Sequence, residues 1–287
     1  MSIKVGVNLF SVLKEVNEDY LGTLERVVEI GYEYVELLAA NFRTGVRFSE
    51  AFPLQVVQRK FEELGLKPIA AHEGAAPGKS ISELNWDEII RYNYELGCEA
   101  VVLPSAWIQD RESALRTAEE LNAIGKRCRE NGLQFYFHNH AHELKSVGDT
   151  TLLELLLENT DPENLKAELD LVWVMRGGVD PLALLEKLGP RCDIIHQKDL
   201  SRDAQPVSIF DALQPGEEDM PIFQAYRKYF KPGDFVDFGE GIVDFAALYA
   251  KLKEMGYVRY AIVENESHQE DKIGCIARDL KFIQQYV

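Results

Sequence analysis

The chain has 287 residues, 28% of them charged and 46% apolar, a globular composition long enough for one large domain or two ordinary ones. A formal net charge of −17 argues against duplex DNA or RNA as ligand, because phosphate binding needs a basic face. Cys98, Cys128, Cys192 and Cys275 are scattered without a CxxC pair, no apolar run is long enough to span a membrane, and Met1 leads almost directly into KVGVNLF. A cytoplasmic protein with reduced thiols and no signal peptide is expected.

Along the chain one short phrase recurs: EIG before YEYVEL, ELG before LKPIAA, ELG before CEAVVL, ENG before LQFYF, KLG before PRCDII and EMG before YVRYAIV. Each is a helix end closed by glycine and followed by a β-rich apolar run. Gly31, Gly65, Gly97 and Gly132 fall 34, 32 and 35 residues apart, the length of one strand–loop–helix unit. Strands are predicted at 4–10, 34–40, 68–74, 100–107, 133–140, 165–173, 192–200 and 260–266. Helices are predicted at 20–30, 54–64, 86–96, 112–131, 152–158, 181–188, 245–255 and 271–286. Repeated units of this kind predict an α/β fold, a (β/α)8 TIM barrel filling 1–287 as one domain. Residues 201–243, with DAQP, QPGEED and KPGD turns, read as an insertion over its C-terminal face.

In such a barrel the site lies at the carboxyl ends of the strands. All six histidines fall there on this reading: His72, His138, His140, His142, His196 and His268. Alternation along LQFYFHNHAHEL puts His138 and His140 on one face and Asn139 on the other. Asp170, His196 and Glu264 follow apolar runs of similar length on three successive strands and should reach one point. Two carboxylates and an imidazole, with a fourth ligand from strand five, suit Mn²⁺, Co²⁺ or Mg²⁺ better than a thiolate-bound zinc. A buried ion-pair network without metal is the plain alternative.

FHNHAHEL, ELDLVWV followed by GGVDPLALL, IIHQKDL, FGEGIVDF and AIVENE resemble, in order and spacing, the sugar phosphate isomerase/epimerase-like proteins of the xylose-isomerase-like barrel superfamily. That resemblance implies one divalent cation, Mn²⁺ first with Co²⁺, Mg²⁺ or Zn²⁺ as alternatives, held by a Glu, Asp, His, Glu set. The last three map onto Asp170, His196 and Glu264. The sequence departs at the first: aligning on Asn139 puts Tyr136 where the ketose epimerases carry glutamate, so Glu143 is the expected ligand, with His140 as second choice.

A divalent-metal-dependent isomerase/epimerase acting on a small keto sugar or polyol-derived ketone through an enediolate is expected, with a lyase acting on an inosose or 3-keto sugar as the alternative. Returning the proton to the other face is epimerisation, returning it to the neighbouring carbon is isomerisation, and expelling a β-oxygen is elimination; a non-catalytic sugar-binding barrel also stays open. Glu264, or His140 in a dehydratase-like variant, is expected to take the proton. Lys198 and Arg202 are candidates to polarise the carbonyl or bind hydroxyls. Trp107 and Trp173 offer flat faces to a sugar ring, and His72, Glu36 and His138 complete the substrate-binding set. A homo-oligomer is left open.

Overall fold

The structure, a computed structural model, describes residues 2–75, 80–217, 220 and 222–287, the side chains of residues 222 and 223 excepted. The strands β1 (Lys4–Asn8), β2 (Tyr34–Leu38), β3 (Lys67–His72), β4 (Ala100–Leu103), β5 (Gln134–His138), β6 (Leu165–Asp170), β7 (Ile194–Gln197) and β8 (Tyr260–Val263) form a closed, all-parallel barrel. Each pairs with its neighbours in sequence, and β8 closes on β1 with Tyr260 opposite Lys4. Around it stand α1 (Tyr20–Ile30), α2 (Leu54–Leu64), α3 (Trp86–Leu96), α4 (Arg111–Glu130), α5 (Leu152–Glu158), α6 (Pro181–Leu188), α7 (Phe245–Met255) and α8 (Lys272–Ile283). This is a (β/α)8 TIM barrel. Among the described residues no helix is long and apolar enough to cross a membrane.

The helix ends follow the recurring phrase. Asp19 caps α1 by accepting from Gly22 N, Leu24 and Val27 are buried, and Gly31 ends the helix at φ 114°, a left-handed conformation that disfavours a side chain. Alternation then divides the core in two. Phe135 and Phe137 of β5 point outward into the large core under the helices, whereas Tyr136 joins Ile69, Val102, Ile194 and Ile262 inside the barrel. That inner cluster forms an apolar floor, and the inward residues one step further along each strand stand above it.

All eight strands end two to four residues sooner than predicted, and at three of them the cause bears on the site. β4 stops at Leu103 because Pro104 has no N–H to donate, which leaves Trp107 in a loop. β6 stops at Asp170, whose Oδ1 accepts from Trp173 N at 2.8 Å and starts a helix over Leu171–Arg176. Trp173 therefore sits on a helix. β7 ends at Gln197, and Asp199–Leu200 pairs antiparallel with Phe235–Val236. The segment carrying Phe235 packs over the exits of β5 and β6: Tyr226, Phe230 and Phe235 crowd Trp173 at centroid distances of 5.7, 5.1 and 5.3 Å.

Candidate metal centre and active site

Period-two alternation delivers one polar layer at the carboxyl end of the barrel. The inward residues there are Asn8 of β1, Glu36 of β2, His72 of β3, His138 of β5, Glu168 and Asp170 of β6, and His196 of β7. Lys198 and Glu264 follow β7 and β8 directly. One ligand-type atom from each of His138, Asp170, His196 and Glu264 lies within 4.8 Å of the others. The same holds for His72, His138, Glu168 and His196. We refer to these as the outer and inner groups.

His196 links the two. Its Nδ1 is 2.6 Å from Glu264 Oε2, while its Nε2 is 2.7 Å from Glu36 Oε2 and 3.0 Å from Glu168 Oε1. His72 Nε2 meets the same two carboxylate oxygens at 3.1 and 3.0 Å, and His138 Nδ1 stands 3.2 Å from Glu168 Oε1. Above them the Lys198 ammonium lies 3.2 Å from Asp170 Oδ2 and 3.2 Å from Glu264 Oε2, and also contacts Glu266. Asn139 faces the other way, as alternation requires. Its Oδ1 accepts from Asp170 N at 3.0 Å and ties the ends of β5 and β6 together.

Residues 24–286 match the family model of the xylose isomerase-like TIM barrel. The chain belongs to that family. Its curated relatives include the inosose dehydratase of Lacticaseibacillus casei, 28% identical over 151 residues, 53% of this chain and 46% of that protein. The inosose dehydratase of Geobacillus kaustophilus is 30% identical over 139 residues, 48% of this chain and 41% of that one. The aligned stretch thus spans about half the length of the curated relatives it matches. Among solved structures, a sugar phosphate isomerase/epimerase from Parabacteroides distasonis superposes with a TM-score of 0.74 at 19% identity, covering 99% of this chain and 98% of that one. The IolI protein with a bound zinc atom gives a TM-score of 0.70 at 17% identity and 99% coverage of both chains. At these identities the superpositions show the shared fold.

The charges of this xylose isomerase-like site follow from burial and neighbours. Burial pushes the Asp170 carboxyl up to about 6, with Lys198 pulling the other way. For Glu264 burial is outweighed by Lys198 and His196, which hold it well below the carboxylate range. Burial also works against a charge on His72, but Glu36 and Glu168 raise it to about 10. For His140 burial, helped by His142 and Lys198, outweighs Glu264 and drops it to about 3, so its ring is neutral.

Glu143, the expected strand-five ligand, belongs to neither group. Past β5 the chain curls into a turn over His142–Leu144, so Glu143 folds back and accepts from His140 N at 2.9 Å. His138 stands in the outer group instead. His140, the second choice, has a buried Nδ1 with no hydrogen bond among the described residues and a ring 5.2 Å from that of Trp173. Tyr136 lies in the floor, its hydroxyl donating to Asp193 Oδ1 at 2.8 Å. Trp107 is 47% exposed, whereas Trp173 is 5% exposed and closed in by other rings. Arg202 sits on an exposed turn, and His268 is exposed as well. Glu168 and Asn8 escaped the sequence reading. Glu168 precedes Asp170 by two residues on a strand, and that spacing alone places both on one face.

Proposed function

We propose that this protein is a divalent-metal-dependent enzyme that removes the proton beside the carbonyl of a small keto sugar or inosose and then expels the β-hydroxyl as water, the proton taken from carbon being returned to the leaving oxygen. The observation that carries this reading is the outer group, His138, Asp170, His196 and Glu264, gathered at the end of the barrel where such folds keep their sites. Two imidazoles and two carboxylates fit a borderline cation, Mn²⁺ first, then Co²⁺, Zn²⁺ or Mg²⁺. The buried Asp170 Oδ2 faces only the Lys198 ammonium, at 3.2 Å, and turns into this group. When bound, the cation supplies a Lewis acid for a carbonyl oxygen and for the negative charge that gathers there.

The remaining work falls to the chain. Lys198 brings a buried positive charge to the same carboxylates and stands ready to stabilise an oxyanion. Neutral His140 has a nitrogen free to take a proton, whereas the Glu264 carboxylate is engaged by His196 and Lys198. Elimination is preferred to epimerisation because the latter uses a second acid–base group on the opposite face of the substrate. The strand-five position that carries glutamate in the ketose epimerases is Tyr136 here, and the strand-five member of the outer group is the imidazole of His138. The inosose dehydratases among the relatives support the same substrate class. Trp107 is proposed as the exposed aromatic face for the ring.

The test pairs elemental analysis of the purified chain with deuterium uptake and water loss over a set of keto sugars and inososes. About one divalent ion per chain is expected. His140→Asn should keep the ion and slow exchange by ~10²–10⁴-fold, the usual loss for a general base. A chain that takes up no ion from Mn²⁺, or a His140→Asn variant exchanging at the original rate, defeats the proposal.

A further inference from the structure

Glu36 and Glu168 have no task in the chemistry above, yet both are fully buried in the layer that carries it. They come from β2 and β6 and close on one atom, His196 Nε2, at 2.7 and 3.0 Å. Each is itself held in place. Asn8 Nδ2 donates to Glu36 Oε2 at 2.6 Å, and His72 Nε2 lies 3.1 and 3.0 Å from the same two carboxylate oxygens. On the other edge of the His196 ring, Nδ1 faces Glu264 Oε2 at 2.6 Å. One imidazole thus stands between two sets of carboxylates, with a nitrogen turned to each. Carboxylates accept hydrogen bonds, so each nitrogen carries hydrogen while no cation is bound, and Nε2, wedged between two of them, holds its hydrogen the more firmly. Nδ1, beside Glu264 alone, is the nitrogen that would give up its hydrogen and offer its lone pair when a cation binds there.

We infer that Glu36 and Glu168 are positioning residues, which together hold a proton on His196 Nε2 and aim Nδ1 at the cation position shared with Asp170 and Glu264. The inference rests on the reading of the outer group as a metal centre. It assigns Glu36 a role other than binding substrate hydroxyls, from which its burial shuts it off. The inner group also has its ligand-type atoms within 4.8 Å of one another. A cation there would require His196 to ligate through both nitrogens at once, as an imidazolate stripped of both protons. Glu36 and Glu168 oxygens already turned to Asn8, His72 and His196 make the proton the simpler occupant of that edge. Carboxylates that orient a ligating imidazole in this way typically change metal affinity by 10–100-fold when removed.

The experiment uses the full chain loaded with Zn²⁺, which is diamagnetic. Long-range ¹H–¹⁵N spectra report which nitrogen of His196 carries hydrogen, and chelator competition gives the Zn²⁺ dissociation constant. In the parent chain the hydrogen is expected on Nε2. Glu36→Gln and Glu168→Gln should each weaken Zn²⁺ binding by about 10–100-fold, and Glu36→Asp, which keeps the charge, should recover part of the loss. Thermal unfolding of each metal-free variant shows that it has folded, and either glutamine variant alone suffices. Folded glutamine variants with unchanged affinity, or a His196 hydrogen on Nδ1, overturn the positioning role while leaving the centre intact. Two Zn²⁺ equivalents in the parent, one of them lost in Glu168→Gln, overturn it in favour of an inner cation. A parent chain that binds no Zn²⁺ overturns the centre and the inference with it.

Discussion

With its Nζ 3.2 Å from Asp170 Oδ2 and 3.2 Å from Glu264 Oε2, the 2% exposed Lys198 neutralises two carboxylates that water cannot reach. Removing the ammonium from such a buried set leaves its carboxylates uncompensated, at a loss of about 3–5 kcal/mol. Lys198→Met should therefore lower the unfolding temperature of the metal-free chain, and added Mn²⁺ should raise it by more than in the parent. An unfolding temperature that does not fall would show that Lys198 is not needed to balance those charges. Asp170 behaves oppositely. Burial raises its carboxyl from its ordinary value to about 6. A raised carboxyl contributes its stability below the ordinary carboxylate value and loses it as pH rises through 6. Asp170→Asn should accordingly be as stable as the metal-free parent or more so at pH 8, with the advantage gone near pH 4. The same variant should lose the upshift that Mn²⁺ gives the parent, because a ligand is missing from the bound form. Unfolding curves across pH, with and without Mn²⁺, check both halves.

At the scale of elements, the barrel was legible because two periods alternate along the chain and glycine marks each change. Strand ends were less legible, since an apolar run looks the same whether it continues as strand or turns into helix. VWVM after Asp170 is such a run, and only the bond from Trp173 N to Asp170 Oδ1 shows that a helix has begun. The exit of β5 deceived for a related reason. Alternation places His138 and His140 correctly on one face, but the turn over His142–Leu144 abolishes that period before Glu143 is reached. The expectation for Glu143 counts spacing through a bend, and the structure places Glu143 in neither group. Its carboxylate serves the turn instead, accepting from His140 N. Glu143→Gln should thus leave Mn²⁺ affinity within about twofold, because an amide oxygen can accept the same bond, while His138→Ala should weaken it at least tenfold. Metal titration of the two variants side by side decides. A tenfold loss in Glu143→Gln with His138→Ala unaffected would restore Glu143 as the strand-five ligand.

Across the whole molecule, the outer group draws its members from β5, β6, β7 and the end of β8, the inner group adds β3, and Glu36 of β2 joins through His196. A cation bound there is tied to half the barrel directly and to most of it at one remove. How that stabilisation spreads depends on how the barrel opens. An open sheet can lose an edge strand and keep the rest, but a closed one has no edge. Here β1 is paired with both β2 and β8, so freeing any strand breaks two ladders at once and exposes the floor around Tyr136 to water. Opening should therefore be cooperative, and the ion's stabilisation should reach amides that it never approaches. At Mn²⁺ a hundredfold above its dissociation constant the gain is about 2.7 kcal/mol, or roughly 100-fold in the population of the open state. Native-state hydrogen exchange with and without Mn²⁺ should show the slowest amides of β3 and β4 protected by the same factor, about 100-fold, as those of β6 and β7. Protection confined to β5–β8 would mean that this half opens on its own and that closure does not make the barrel a single unit.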